Sequence, residues 1–212
     1  GTKSFHTVWE KVCAEVFDSK LTVRFSQLAV ELKEKYNLEL QEQYMNDTNG
    51  NLLSIIEKPK WGFKKVEADQ TLRPDIISFY KEESHGRITF AILDAKYYLM
   101  KFKNNGNISK VLGQPGVGDL TKQYLYQLVY KNFTESLKIE EIENCFLMPL
   151  DVEQQNNDKY VWRCEDYGNA SMDMMDALDL KQIKIRKISA QWLIQKYIQN
   201  EKADLNKLQL YR

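Results

Sequence analysis

The stretch from Asp75 to Tyr98 constrains the fold of this chain more than any other segment. It contains two runs rich in apolar residues, DIISFYKE and RITFAILDAKYYL, around the polar segment EESHGR. Short runs with β-branched and aromatic residues, bounded by turn-forming residues, are typical of strands joined in a hairpin. The second run is apolar on both faces around FAIL, which indicates a strand in a sheet that is covered on both sides. The sequence therefore predicts a buried hairpin.

The segments on either side of this hairpin predict helices and further strands. Apolar residues recur at helical spacing from Phe5 to Phe17, and LTKQYLYQLVYKNF predicts a helix with Leu120, Tyr124 and Leu128 facing inward. CFLMPL, YVWRCE and IKIRKIS predict later strands, followed by a closing helix in AQWLIQKYIQNEK. We therefore expect one α/β (α+β) domain over residues 1–212, with a mixed central β-sheet flanked by helices.

Composition narrows the class of protein. Charge is high but balanced, with 30 basic and 30 acidic residues. No apolar run approaches the roughly 20 residues of a bilayer-spanning helix, and the N-terminal sequence lacks a signal-peptide layout. The three cysteines are far apart and only two histidines are present, which argues against a zinc site. We expect a cytoplasmic protein with no membrane contact, and the missing initiator Met favours a domain excised from a longer chain.

The predicted hairpin brings charged residues together. A turn centred between Ser84 and His85 would place Asp75 across from Asp94, and alternation would put Lys96 on the same face as Asp94. Such a buried group is costly unless it binds something. Carboxylate oxygens suit Mg²⁺, which is commonly held by one or two carboxylates and a substrate phosphate, and a lysine can orient the attacking water. These residues predict metal-dependent phosphodiester hydrolysis.

The residues of these motifs narrow the hypothesis to a particular group of nucleases. LRPDIIS followed by ILDAKYY resembles the PD-(D/E)xK nuclease superfamily, whose elements stand here as Pro74-Asp75 and Asp94-Ala95-Lys96. With VWEKVCAEVF and PGVGDLTKQYLYQLVY, they look like the LlaJI family of restriction endonucleases, in which an McrC-like nuclease subunit works with a GTP-hydrolysing AAA+ partner. The resemblance covers most of the chain up to about Tyr130 and is weaker beyond.

The resemblance implies a function and a set of partners. It implies a Mg²⁺-dependent endonuclease, with Mn²⁺ as a substitute, that cleaves double-stranded DNA in an McrBC- or LlaJI-like restriction system beside an McrB-like AAA+ GTPase. Asp75, Asp94 and the backbone carbonyl of Ala95 would hold the metal, and Lys96 would position the attacking water. The DNA site, its methylation and the oligomeric state are not specified by these motifs.

Further site residues are implied on two helices. Glu10 on the first helix is an additional candidate acid, with Glu15 as the competing position. In the helix after the active strand, YQLVY resembles the Gln-plus-Tyr element of RecB-like and McrC-like nucleases, which matches Gln127 and Tyr130. Gln123 lies one turn earlier on the same face and is the third candidate. The alternative for these acids and glutamines is a solvated helix surface.

Basic residues near the predicted active strand are candidates for contact with the DNA backbone. Lys101 and Lys103 follow that strand, and Lys122 lies in the next helix, where exposure to solvent is the alternative. The basic run from Lys181 to Lys187 also suits a DNA backbone, but alternation along an edge strand explains it equally well.

Two other functions compete with the nuclease. GQPGVGDLT, beginning at Gly113, superficially resembles a P-loop, but Asp119 and Leu120 occupy the positions of the required Lys and Ser/Thr. A carboxylate would repel a triphosphate, so we expect no nucleotide binding and predict Asp119 as the N-cap of the following helix. The other alternative is a catalytically inactive nuclease fold kept for DNA binding or interaction, against which the intact acid–lysine trio argues.

Overall fold

The computed structural model describes residues 2–63, 66–98, 100–105, 108–151 and 160–211, with only the backbone described for 2–4, 102–105 and 108–110. Its centre is a five-stranded sheet with both parallel and antiparallel neighbours. In spatial order, its strands are β3 (Ile76–Lys81), β4 (Ile88–Ala95), β7 (Glu141–Leu150), β9 (Ile183–Ser189) and β8 (Cys164–Ala170).

Helices and two small hairpins surround this sheet. The α-helices are α1 (Thr2–Val16), α2 (Phe25–Tyr36), α3 (Glu42–Met45), α4 (Val117–Ser136) and α5 (Ala190–Ile198). One hairpin joins β1 (Lys60–Trp61) to β2 (Val66–Glu67), and the other joins β5 (Lys101–Asn105) to β6 (Ile108–Leu112). Short 3-10 helices cover Leu52–Ile55, Asp173–Leu178 and Leu205–Leu208. None of the helices in the described ranges is both long and apolar enough to cross a membrane.

Helices cover the sheet on both faces. On one face, Leu93 of β4 belongs to a core that includes Trp9 of α1 and Leu193 of α5. On the other face, Ile92 packs in a core with Tyr130 of α4 and with residues of α2. Successive residues of β4 therefore enter opposite cores, as expected for a strand buried on both sides. The mixed central sheet flanked by helices confirms the predicted fold class.

The hairpin register also agrees with the sequence-based expectation. β3 and β4 pair antiparallel, from Ile76 opposite Leu93 to Lys81 opposite Ile88. These pairs are equally distant from the point between Ser84 and His85, where the turn was predicted. β4 then pairs parallel with β7, which places the end of β4, with Asp94, inside the sheet.

Two predictions about the outer elements were wrong. Leu128 of α4 is 38% exposed, whereas Gln123, Tyr126 and Gln127 are buried, because polar and aromatic side chains form the core face of this helix. The run YVWRCE is mostly outside a strand, since β8 begins only at Cys164.

The basic run in β9 is not an edge strand, because β9 lies between β7 and β8. Arg186 is 2% exposed and contacts the C-terminal segment instead of solvent. Its guanidinium donates to the backbone oxygens of Leu208 at 3.1 Å and Gln209 at 3.2 Å, and to Asp166 at 2.7 Å. This burial leaves Arg186 no access to a DNA backbone and gives it a structural role.

We expect Arg186→Met to lower the free energy of unfolding by about 2–3 kcal/mol, because it leaves buried carbonyls without their charged donor. Urea denaturation measures this change. Lys11→Met, on the exposed side of α1, serves as the control and should change stability by less than about 0.5 kcal/mol. Equal stability of the two variants would contradict the structural role of Arg186.

Candidate active site

Two aspartates meet where β3 begins and β4 ends. The register of the hairpin, continued by one residue, places Asp75 opposite Asp94. The backbone N–H of Ala95 donates to Asp75 Oδ2 at 2.9 Å, so the Asp75 carboxylate lies against the Ala95 peptide. Asp94 is 7% exposed and lies inside the strand. The predicted meeting of these carboxylates is therefore present in the fold.

Close approach of these acids changes the protonation of Asp75. Burial raises the pKa of Asp75 to about 9, with further contributions from a hydrogen bond and the charge of Asp94 and from the charge of Glu10. The hydrogen bond from Ala95 acts in the opposite direction and is outweighed. In the absence of a cation, the raised pKa favours a proton shared by this pair of acids, which limits the negative charge that the fold must bury.

Lys96 reaches the same place from the end of the strand. Its Nζ atom lies 2.9 Å from Asp94 Oδ1, and its side chain is 12% exposed. Its backbone N–H donates to the Leu147 oxygen of β7 at 2.9 Å, which anchors the residue just beyond β4. Burial alone would lower the pKa of Lys96, but the charges of Asp94, Asp119 and Asp75 raise it above the usual value. Lys96 is thus a hydrogen-bond donor and a positive charge, not a base.

Asp119 joins this group from the glycine-rich stretch. Its Oδ1 atom lies 3.3 Å from Lys96 Nζ. The prediction of Asp119 as the N-cap was wrong: the helix cap is Gly116, and Asp119 is the third residue of α4. From that position its Oδ2 atom accepts the Gly116 N–H at 3.0 Å. Sequence reasoning found the acid but missed its contact with the lysine, because that contact depends on where α4 docks.

Of the two acids proposed on α1, Glu10 is the one near the site. Its charge acts on Asp75, and its Oε1 atom lies 3.0 Å from His6 Nε2. Glu15 instead pairs with Lys202 at 3.6 Å, with about half of its side chain exposed. The preceding residue, Trp9, fixes the helix by donating from Nε1 to the Leu147 oxygen at 3.1 Å, the same oxygen that accepts the backbone N–H of Lys96.

The residues of the Gln-plus-Tyr element have other partners. Gln127 Nε2 donates to the Lys181 oxygen at 3.0 Å, and the Lys181 N–H donates to Gln127 Oε1 at 3.1 Å. The hydroxyl of Tyr130 donates to the Leu52 oxygen at 3.0 Å. Gln123 is fully buried, and within the described ranges its side-chain amide has no hydrogen-bond partner. None of these hydrogen bonds reaches the aspartates, so a catalytic role for Gln123 and Gln127 stays a prediction.

Tyr126 is a neighbour of the acids that sequence reasoning missed. It is buried in the core beneath the sheet, and burial raises its pKa, with added effects from the charges of Asp94 and Asp75. Tyr126 follows Asp119 by seven residues, which is two helical turns, so the two side chains belong to one face of α4. This seven-residue spacing is the sequence signal that could have identified Tyr126.

The three candidate DNA-contacting lysines lie on β5 and α4, two elements that follow β4 along the chain. Lys101 is exposed at the start of β5, and Lys122 is exposed on the first turns of α4. The side chain of Lys103 lies outside the described residues. The positions of Lys101 and Lys122 are compatible with contact to a polyanion.

The donor set fits a hard cation with few protein ligands. In the described part of the chain, no group of three or more His, Cys, Asp or Glu side chains is arranged to hold a metal ion. Asp75, Asp94 and the peptide of Ala95 offer two carboxylates and a carbonyl. Such a set suits Mg²⁺, which keeps several waters and takes one or two protein carboxylates, better than it suits zinc.

Comparison with known proteins gives the family. A profile of the LlaJI restriction endonuclease family matches residues 39–191. The chain is also 29% identical over 205 residues to the YdjA component of the type II restriction enzyme BsuMI from Bacillus subtilis (strain 168). That alignment covers 95% of this chain but 34% of the relative, so the chain spans about a third of the relative's length. No solved structure matches the chain significantly.

The extent of the family match differs from the expectation at both ends. It continues to residue 191, well beyond Tyr130, and it begins after α1, so Glu10 lies outside it. It contains Asp75, Asp94, Lys96 and the glycine-rich stretch. Because the match spans more than two thirds of the chain and includes this whole group, the chain belongs to the LlaJI restriction endonuclease family.

Proposed function

We propose that this chain is the DNA-cleaving part of a restriction system and hydrolyses phosphodiester bonds of double-stranded DNA with Mg²⁺, or with Mn²⁺ as a substitute. The observation that carries this proposal is the buried contact of 2.9 Å between Lys96 Nζ and Asp94 Oδ1, with Asp75 opposite Asp94. A permanent ion pair explains one aspartate and the lysine. It does not explain the second acid, the partly buried Asp75, whose desolvation and repulsion a bound cation would offset.

In this proposal, Asp75, Asp94 and the carbonyl of Ala95 would hold the metal, which would supply positive charge at the scissile phosphate and lower the pKa of a bound water. Metal binding would require this pair of acids to release a proton, since the pKa of Asp75 is raised without a cation. Lys96 stays an ammonium and orients the attacking water or donates to the phosphate as charge develops. Glu10 adds a negative charge close to Asp75.

The surrounding surface and a partner would complete the activity. Lys101, Lys103 and Lys122 are the proposed contacts to the DNA backbone, where each neutralised phosphate releases counterions. Nucleotide hydrolysis belongs to a separate McrB-like AAA+ GTPase in this proposal. The N–H of Gly116, which a P-loop would offer to a phosphate, is bonded to Asp119. The relative described as a component of a restriction enzyme supports the need for partner subunits.

Lys96→Ala tests the function directly. We expect at least about a 100-fold loss of plasmid cleavage with Mg²⁺, because the donor that stabilises the developing charge is removed. Cleavage is measured with the restriction-system partners present. Lys33→Ala, an exposed lysine paired with Glu39 on the surface, is the matched control and should cleave normally. Equal cleavage by wild type and Lys96→Ala would refute catalysis at this site, and DNA binding without any Mg²⁺-dependent cleavage would favour the inactive module.

Asp75→Asn tests the protonation of the acid pair in metal-free protein. The folded pKa of Asp75, about 9, is above the ordinary value of 3.8, so the folded chain holds a proton that the unfolded chain releases. This residue therefore lowers the stability of the wild type progressively as pH rises from about 4 to about 9. Thermal unfolding in EDTA should show a smaller loss of Tm over this interval for Asp75→Asn than for the wild type.

The same measurement with metal provides the control. Mg²⁺ should raise the Tm of the wild type more at pH 8 than at pH 6, because the cation must displace less proton at the higher pH. Asp75→Asn should lose most of this rise. Parallel pH dependence in wild type and variant, with and without Mg²⁺, would contradict the proposed role of Asp75.

Gln127→Ala separates a structural from a catalytic role. The variant removes two hydrogen bonds between α4 and the backbone of Lys181, so we expect a loss of about 1–3 kcal/mol in the free energy of unfolding. At a temperature where the variant is folded, its cleavage rate should stay within about threefold of the wild type, since the amide has no contact with the acids in the described structure. A folded variant with a large loss of kcat would support the role implied by the family resemblance.

A further inference from the structure

Each oxygen of the Asp119 carboxylate makes a contact, and the Tyr98 side chain is also hydrogen-bonded to this carboxylate. Oδ2 accepts the Gly116 N–H at 3.0 Å, which satisfies a free backbone donor at the start of α4. Oδ1 lies 3.3 Å from Lys96 Nζ, with about a fifth of the Asp119 side chain exposed. Capping needs only one oxygen, and Glu or Gln is the common residue at this third helical position. The contact with Lys96 is therefore an addition to the cap.

During the proposed reaction, the Lys96 ammonium needs an anionic partner that does not also bind the metal. Its shorter contact is to Asp94 Oδ1, and Asp94 is a ligand in the proposed function. A divalent cation beside Asp94 would compete for that carboxylate and repel the ammonium. Asp119 contacts Lys96 from α4, outside the β3–β4 hairpin that carries the acid pair. Its charge remains available to the lysine when Asp94 is engaged.

We propose that Asp119 is a positioning residue of the nuclease site: the glycine-rich turn fixes its carboxylate, which holds the Lys96 ammonium beside Asp94 during the reaction. This proposal rests on the proposed function. Asp119 acts through Lys96 and contacts neither DNA nor metal, so its loss should affect kcat and leave the KM for DNA nearly unchanged. Displacement of a catalytic group by about 1 Å costs up to about 100-fold in rate.

Three substitutions separate the two contacts of Asp119. Asp119→Glu retains both the charge and a capping oxygen. Asp119→Asn retains one acceptor for the Gly116 N–H but replaces the other oxygen with an amide NH₂, which offers the lysine no acceptor. Asp119→Ala removes both contacts. A cap alone would make the Asn variant resemble the Glu variant, whereas a positioning role would make it resemble the Ala variant in kcat.

The experiment measures kcat and KM for plasmid cleavage with Mg²⁺ and partners, together with Tm in EDTA. We expect Asp119→Asn to lower kcat by about 10- to 100-fold with KM within about twofold and with little change in Tm. Asp119→Glu should restore kcat to within about fivefold of the wild type. Asp119→Ala should lower kcat as the Asn variant does. It should also lower Tm, because the Gly116 N–H at the start of the helix is left without its acceptor.

A crystal structure of Asp119→Asn without metal adds a readout that does not depend on activity. We expect Lys96 Nζ to leave its position near residue 119 while the Gly116 contact persists. Wild-type kcat in Asp119→Asn, or an unmoved Lys96 in its structure, would overturn the positioning role. Absence of cleavage by the wild type itself would instead refute the proposed function, and the crystal structure would still decide whether Asp119 holds the lysine.

Discussion

The register of the β3–β4 hairpin is the constraint on which the site depends. Because Ile76 pairs with Leu93, the next residues outward are Asp75 and Asp94, and the strand's alternation brings Lys96 to the same face. A shift of one residue in the register would move these side chains to the other face of the sheet. The register is stable because β4 is buried on both faces and paired on both edges, so a slip would disrupt two cores and two ladders.

The site keeps its buried charge low by three means. Burial and the neighbouring Asp94 raise the pKa of Asp75, which favours a proton on this pair of acids. Asp94 has the Lys96 ammonium at 2.9 Å. Asp119 shares the same ammonium and accepts a backbone N–H and a hydrogen bond from Tyr98, so its own charge is also compensated. A group balanced in this way can exist in the folded chain, and under the proposed function a cation would displace the proton and compete with the lysine.

Helix α4 contributes both to the hydrophobic core and to the acid–lysine group. The glycine-rich stretch GQPGVGDLT starts α4, and its aspartate reaches the acid–lysine group from the side of the helix. On the same helix, Gln127 bonds to the backbone of Lys181, and the buried Tyr126 lies within reach of the charges of Asp94 and Asp75. The face of α4 that bears these residues is therefore part of both the core and the site, which explains why it is polar in sequence yet buried.

Sequence alone determined the hairpin, its register, the pairing of Asp75 with Asp94 and Lys96, and the family. These features depend on local alternation and on short motifs, which are visible within about twenty residues of chain. Tertiary structure alone decided which face of α4 is buried, that Arg186 is a core residue, and that Glu10 rather than Glu15 acts on Asp75. Those outcomes, and the contact of Asp119 with Lys96, depend on how helices dock on the sheet. Docking is set by packing between residues far apart in sequence, which a local pattern does not encode.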